Sequence, residues 1–430
     1  MNRNFRSPSA FTLLRGPNGE QILAITCLIA ATQMVWGILV PILPAFASEM
    51  GISADLIGML VAGFGIGRVL ANIPAGLLGR RVNRASLLVI GALGVVVFSA
   101  LSGLVGSFEL LLALRVLTGV AGGIAITSGQ TLLADSVERT SLARAMALLQ
   151  GLQLAGGAVG PALGGLVATT FGMRAPFFVS GAVCFAFLCW IVLRRRLWRS
   201  LSEVIAVAEP AAPVGGPRRS TSFVAVCAVG FSVFFSRFGV QQTLLPLIAY
   251  QALGFSVGTL GVLFSGMAVL NIVCAIFLGG LSDRVGRKRV IVGTLVAAGA
   301  ATVAFALPMQ PVLFIGLMLA FGLATSIGGP VPAAYVAEIA AGSRRGPAIG
   351  IYRTFGDLAG IVGPIVIGLV IHLFGFTVAI VVSSVVAFIA ALVFALLARE
   401  TVTLSQRQKG GVGWRAKRSS RKRATNEGRT

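Results

Sequence analysis

Apolar runs as long as a bilayer is thick recur along this chain, separated by short polar turns. Counting runs of about 18–25 residues gives spans at 21–46, 55–79, 86–106, 109–134, 146–170 and 175–193. A second set follows at 223–248, 257–281, 289–307, 311–336, 347–371 and 376–398. Runs of this length and composition read as helices that cross a membrane, since lipid offers the backbone no hydrogen bonds. The pattern predicts an all-α membrane protein with twelve transmembrane helices.

The second six spans repeat the first at a constant offset of 203 positions. Gly51 and Ser53 map onto Gly254 and Ser256, Gly58 onto Gly261, Gly119 onto Gly322 and Asp135 onto Glu338. Gly157, Gly160, Pro161 and Gly165 map onto Gly360, Gly363, Pro364 and Gly368, and Phe171-Gly172 onto Phe374-Gly375. A register held without gaps over such a distance marks a true repeat. Two pseudo-symmetric six-helix bundles are therefore expected, at 21–193 and 223–398, with a binding site between them near mid-membrane. Outside them lie an N-terminal segment at 1–20, a linker loop at 194–222 and a tail at 399–430. The Ala/Pro/Gly-containing linker reads as flexible and the polar, basic tail as disordered.

Composition sharpens this picture. With 56% hydrophobic and 11% charged residues and a mean hydropathy of +0.93, an ordinary soluble domain is excluded. The formal net charge of +22 would suggest a nucleic-acid partner until its distribution is counted. If the N-terminus is cytoplasmic, 30 of the 35 Lys and Arg residues fall on the cytoplasmic side; Arg174 alone lies beyond the membrane, and Arg68, Arg115, Arg237 and Arg353 lie within spans. Positive charge on cytoplasmic loops fixes the orientation, with both termini cytoplasmic. It accounts for the charge without nucleic acid, and the tail is suited to contact anionic lipid. Ala45-Phe46-Ala47 resembles a signal-peptidase site, but the apolar run before it is too long for a signal peptide, so span one reads as an uncleaved anchor.

All five cysteines fall within spans without metal-ligand spacing, which predicts packing residues, no disulfide framework and no metal site. No paired interior carboxylates or polar catalytic cluster is present, no nucleotide-binding glycine loop occurs, and no cofactor is implied. An enzyme is not expected.

The most polar turn of the second half, 279–289, reads G-G-L-S-D-R-V-G-R-K-R, with Gly279, Asp283, Arg284, Gly286, Arg287 and Lys288 in the pattern G-x-L-x-D-R-x-G-R-K. Its first-half copy keeps Gly76, Arg81 and Arg84 but has Arg80 in place of the aspartate and Asn83 in place of the second glycine. Span four carries Arg115 followed by Gly119, Gly122 and Gly123, and span five carries Gly156, Gly160, Pro161, Gly164 and Gly165. Together with the repeat, these motifs resemble the major facilitator superfamily, over nearly the whole chain outside the linker and tail. The span-five motif is similar to that of its drug/proton antiporter branches.

Each motif also has a physical reading. Small residues four apart in span five let another backbone approach closely, and Pro161 frees a carbonyl so the helix can bend. With Gly360, Gly363 and Pro364 as the second copy, this suits either a hinge or tight packing. In the charged turn, a cluster of Asp283 with basic neighbours would hold helix ends together in one conformation and release them in another. Asp135 and Glu338, at the cytoplasmic ends of spans four and ten, are expected to clamp Arg81 or Arg84 and Arg284 or Arg287 respectively.

Ionisable groups at membrane depth are costly and mark function. Asp357 is the one acidic residue in the interior of any span. Arg68 and Asp357 both sit about ten residues from their cytoplasmic ends, roughly 15 Å deep. Spans two and eleven are neighbours in the resembled fold, so Arg68 is expected to pair with Asp357, with Arg353 one turn away, either as a fixed pair or as a gating and proton-coupling group. The resemblance also implies that spans one, four, seven and ten line a central cavity. Gln33, Trp36, Arg115, Arg237, Gln241 and Tyr335 are then its lining, basic and amide-rich, suited to neutral or anionic compounds. Arg115 is also a candidate for proton coupling, and His372 reads as a capping or surface residue.

The expected function is secondary active transport by alternating access, with protons as coupling ion and export of small drug-like or organic-anion compounds. The alternatives are a proton-coupled importer of a sugar, organic acid or other metabolite, and a transport-inactive sensor. One chain holds both halves, so a monomer is expected. An Ala/Gly/Arg-rich composition without an N-x-[ST] sequon points to a bacterial inner membrane.

Overall fold

The computed structural model describes residues 18–79, 81–203, 221–278, 285–308, 310–326, 330–340 and 345–401, with residues 14, 282 and 328. Helices carry almost all of these described residues. The first half holds α1 (Gly19–Leu39), α2 (Leu43–Glu49), α3 (Ala54–Leu78), α4 (Arg84–Ser102), α5 (Phe108–Asp135), α6 (Arg139–Phe171), α7 (Ala175–Leu193) and α8 (Arg195–Ser202). The second holds α9 (Thr221–Phe235), which runs on through π-helical turns at Ser236–Leu244 and Ile248–Ala252. It continues with α10 (Val257–Leu278), α11 (Arg287–Ala304), α12 (Pro311–Thr325), α13 (Pro330–Ile339) and α14 (Arg345–Leu397).

Among the described residues, nine helical segments are long and apolar enough to cross a membrane, against twelve spans expected. The physical reasons are local. Arg287, Lys288 and Arg289 open α11 and dilute its apolar length. Span ten is divided into α12 and α13, of 15 and 10 residues. Spans eleven and twelve run together as α14, in which Gly375 alone is non-helical at φ 81°, ψ 178°.

That glycine exposes the repeat in the backbone itself. Its first-half equivalent, Gly172, has φ 89° and ψ 164° and separates α6 from α7. Both occupy a region that essentially only glycine enters, so two copies of one turn are held by one requirement.

The expected flexible linker begins as structure. Leu197 and Leu201, four apart on α8, are buried in the first-half core with Trp198 packed beside them. An amphipathic turn of this kind docks because its apolar stripe finds a core face. Residues 204–220 of the linker and 402–430 of the tail lie outside the described residues.

In the first half, α3 and α4 pack on α5, α4 on α7, and α1 on α6 and α7. In the second, α14 packs on α9, its π-helical continuation and α11, and α10 on α12. The halves meet where α6 packs on α10 and where α3 packs on α14. With lipid as apolar as leucine, close packing rather than transfer from water holds such contacts.

The cores show which end of the molecule is closed. At the end that carries the basic turns, one buried cluster around Ile25, Leu88, Leu132 and Leu188 lies wholly in the first half. Another, around Val226, Ile291, Tyr335 and Phe394, lies wholly in the second. At the opposite end the clusters cross: Ala47 and Ile57 join Leu244, Leu260 and Phe314, and Val257 joins Ile42, Leu111 and Phe177. Among the described residues, buried clusters thus join the halves away from the basic turns and stay within one half beside them.

Candidate functional site

Between the halves lies a cavity of about 280 Å³. From the first half, α1 contributes Gln33 and Trp36, and α6 contributes Gln153, Gly157 and Pro161. From the second come Phe234, Arg237, Gln241 and Gln242 on α9 and its π-helical stretch, Phe264 and Asn271 on α10, and Ser326 at the end of α12. The π-helical turns widen the helix at this point, as π-bulges do at functional sites; there Thr243 Oγ1 donates to the Phe238 carbonyl, five residues back, at 2.9 Å.

Four expected lining residues, Gln33, Trp36, Arg237 and Gln241, stand on the wall of this cavity. Two do not. Tyr335 is fully buried near the basic end, its ring centroid 5.1 Å from that of Phe394 and its hydroxyl donating to the Arg399 carbonyl at 2.7 Å. Through that bond it ties the chain just after α14 to α13. Arg115 is also off the wall, only 1% exposed. Its guanidinium carbon lies 5.0 Å from the Trp36 ring centroid and 5.8 Å from that of Phe64. Those two rings stack at 4.6 Å. A cation over aromatic faces is stabilised in this way, yet among the described residues Arg115 Nε and Nη2 have no hydrogen-bond partner.

Trp36 also bridges the halves, its Nε1 donating to Gln242 Oε1 at 3.0 Å. Sequence reasoning missed Gln242, Gln153 and Asn271; the signal was amides standing in otherwise apolar runs. A second bridge runs from the Ala162 amide N–H, beside Pro161, to Ser265 Oγ at 2.8 Å.

Arg68 and Asp357 come together across the other contact between the halves, with Nη2 and Oδ1 3.9 Å apart and side chains 30% and 25% exposed. Arg353, one turn before Asp357, is exposed. Arg237 lies within electrostatic reach of Arg68.

The glycine motifs sit at the contacts between helices. A Cβ on Gly165 would stand 2.7 Å from the Val257 carbonyl and 3.1 Å from Gly261 Cα. By the repeat, Gly58 meets the Pro364 carbonyl and Gly368. Gly156, Gly160 and Gly164 face the α1 backbone around Ala30, Met34, Gly37 and Ile38, while Gly360 and Gly363 pack on Phe238 and Gly239.

At the basic end, Arg84 pairs with Asp135 and Arg287 Nε with Glu338 Oε1 at 2.9 Å, two ion pairs related by the same offset of 203. Arg81 is exposed, and Gly76 has open space beside it. In the second half Gly286 takes φ 114°, while its counterpart Asn83 takes φ −58° and caps α4 with its side chain. Lys288 reaches the Ala398 carbonyl through Nζ at 2.7 Å and Glu400 through its backbone N–H. Gly279, Arg80, Asp283 and Arg284 lie outside the described residues, as does any latch built on Asp283.

Comparison with known proteins bears on the whole arrangement. The model of the Major Facilitator Superfamily matches residues 25–240 and again 226–426. The chain is 27% identical over 379 residues to Multidrug resistance protein MdtG of Yersinia enterocolitica, covering 84% of this chain and 89% of that one. It is 25% identical over 346 residues to Multidrug resistance protein 2 of Bacillus subtilis, covering 78% and 85%. Its fold is similar to the inward-facing, unoccupied structure of a bacterial homolog of the human lysosomal transporter Spinster, with a TM-score of 0.75 at 15% identity over 88% of this chain and 96% of that one.

Proposed function

Because this chain belongs to the Major Facilitator Superfamily, and is a multi-pass membrane transporter rather than an enzyme, we propose that it exports small drug-like compounds from the cell in exchange for protons, by alternating access. The cavity between the halves takes the substrate, and separation of α6 from α10 and of α3 from α14 opens it to the other side. The similarity to multidrug resistance proteins supports the direction of transport and the breadth of substrates. The basic turns, by the positive-inside rule, face the cytoplasm of a bacterial cell, so the conformation described is open inward.

The observation that carries the proton-coupled reading is the ion pair between Arg68 and Asp357. The acidic residue unique to the span interiors meets an arginine of the other half at the boundary that must open. Protonation of Asp357 removes the Coulombic attraction between the halves there, so proton binding favours their separation. Arg353 and Arg115 set the local field around this exchange. The Arg84–Asp135 and Arg287–Glu338 pairs hold the basic helix ends of each half as rigid units. The protein acts as a monomer, with its tail against anionic lipid.

The test is transport in proteoliposomes under an imposed pH gradient, wild type against Asp357→Asn, with a panel of cationic, neutral and anionic compounds. Gradient-driven movement is expected in the wild type and is lost in the variant. Movement that persists unchanged in Asp357→Asn refutes the role of this carboxylate.

A further inference from the structure

The interior of the spans holds four arginines, Arg68, Arg115, Arg237 and Arg353, and a single aspartate. Asp357 pairs with Arg68. Arg237 stands on the cavity wall, and among the described residues neither a hydrogen bond nor an ion pair holds it. Arg115 carries a further charge behind the Trp36 ring, which is itself part of that wall. Among the described residues that line the cavity, none carries a carboxylate. Arg237 is exposed to the cavity and carries no partner charge, so an anion of matching shape that enters can displace the water on its guanidinium and make a charge-assisted pair.

The remaining wall is suited to such a ligand. Arg237 offers a planar fork of donors that matches a carboxylate or sulfonate. Gln241, Gln153 and Gln33 supply amide N–H groups around it, and Trp36, Phe234 and Phe264 supply flat apolar faces for a ring-bearing body. A cation in the same place meets Arg237, and among the described residues of the wall no carboxylate receives it, a repulsive element that discriminates by charge.

We propose that the ligand of this cavity is an amphiphilic organic monoanion, its acidic group on Arg237 and its ring system between Trp36 and the phenylalanines. This rests on the reading of the cavity as the substrate site, and it narrows that reading to one charge class. Arg237 is then the residue that sets specificity.

Equilibrium binding separates this from transport, since it needs no gradient. Tritiated 1-naphthoate is measured on protein in lipid nanodiscs by scintillation proximity, with 1-naphthamide and 1-naphthylmethylammonium as competitors of nearly the same shape. Naphthoate is expected to bind at least about tenfold tighter than either competitor. Arg237→Gln should abolish that preference and Arg237→Lys retain most of it. Gln241→Glu, which adds a carboxylate one turn from Arg237, should turn the preference toward the ammonium compound. Equal affinity for the three compounds, no binding of any, or a naphthoate affinity unmoved in Arg237→Gln overturns the proposal. Naphthoate binding that follows this pattern without transport under any gradient leaves the proposal standing and removes the transport reading alone.

Discussion

Gly165→Ala tests the interface between the halves most sharply. The added methyl would stand 2.7 Å from the Val257 carbonyl oxygen, 3.1 Å from Gly261 Cα and 3.2 Å from Gly258 Cα. All three are backbone atoms, so no side chain can swing aside. Unstrained contacts between carbon atoms settle near 3.5–4.0 Å, and α6 and α10 must part by about 0.5–1 Å to accept it. Overpacking of this kind costs about 1–3 kcal/mol. Alanine also gains up to about 1 kcal/mol over glycine in a helix, but that gain is present in every conformation in which α6 is helical and cancels between them.

The remaining cost falls on the conformation in which α6 touches α10. The balance should therefore move toward conformations with these helices separated by about 5- to 150-fold. Gly151→Ala is the control, on the same helix with open space beside it. Double electron–electron resonance between labels at Arg174 of the first half and Gln310 of the second, with the five native cysteines replaced, reads the separation at the end away from the basic turns. Gly165→Ala is expected to populate longer distances than wild type, and Gly151→Ala to match it. Coincident distributions for all three would refute the idea that this contact seals the halves.

Two further predictions concern the repeat. Asp135→Asn leaves the part-buried Arg84 without its partner and should cost about 1–3 kcal/mol, whereas Glu338→Gln, at a more exposed pair, should cost about 0–1 kcal/mol. Melting of the purified protein in nanodiscs ranks them, and equal losses would contradict the burial argument. Gly172→Ala and Gly375→Ala meet no neighbouring atom within 4 Å, so each should lose about 1–3 kcal/mol from backbone strain alone. In the same melts Gly293→Ala, in a helix with open space beside it, should be neutral or gain up to about 1 kcal/mol; indistinguishable melts for the three would refute the glycine-only reading.

The length and apolarity of the runs settled by themselves that this chain lies in a membrane as helices, because lipid leaves the backbone no other partner. The offset of 203 settled that it is one design used twice, and the later geometry of Gly172 with Gly375 and of Arg84–Asp135 with Arg287–Glu338 follows that register. Tertiary structure decided the rest, since it depends on which helix faces meet. The widening of the helix after Phe235 into π-helical turns, which brings Gln242 to the cavity beside Arg237 and Gln241, leaves no mark in an apolar run. Arg115 and Tyr335 looked like lining residues from their spans, but packing turned one onto the outer face of Trp36 and tied the other to the end of α14. A residue's depth is fixed by counting along its own helix, whereas its partner is fixed by the rotation and approach of a second helix, and that is decided only when the halves pack.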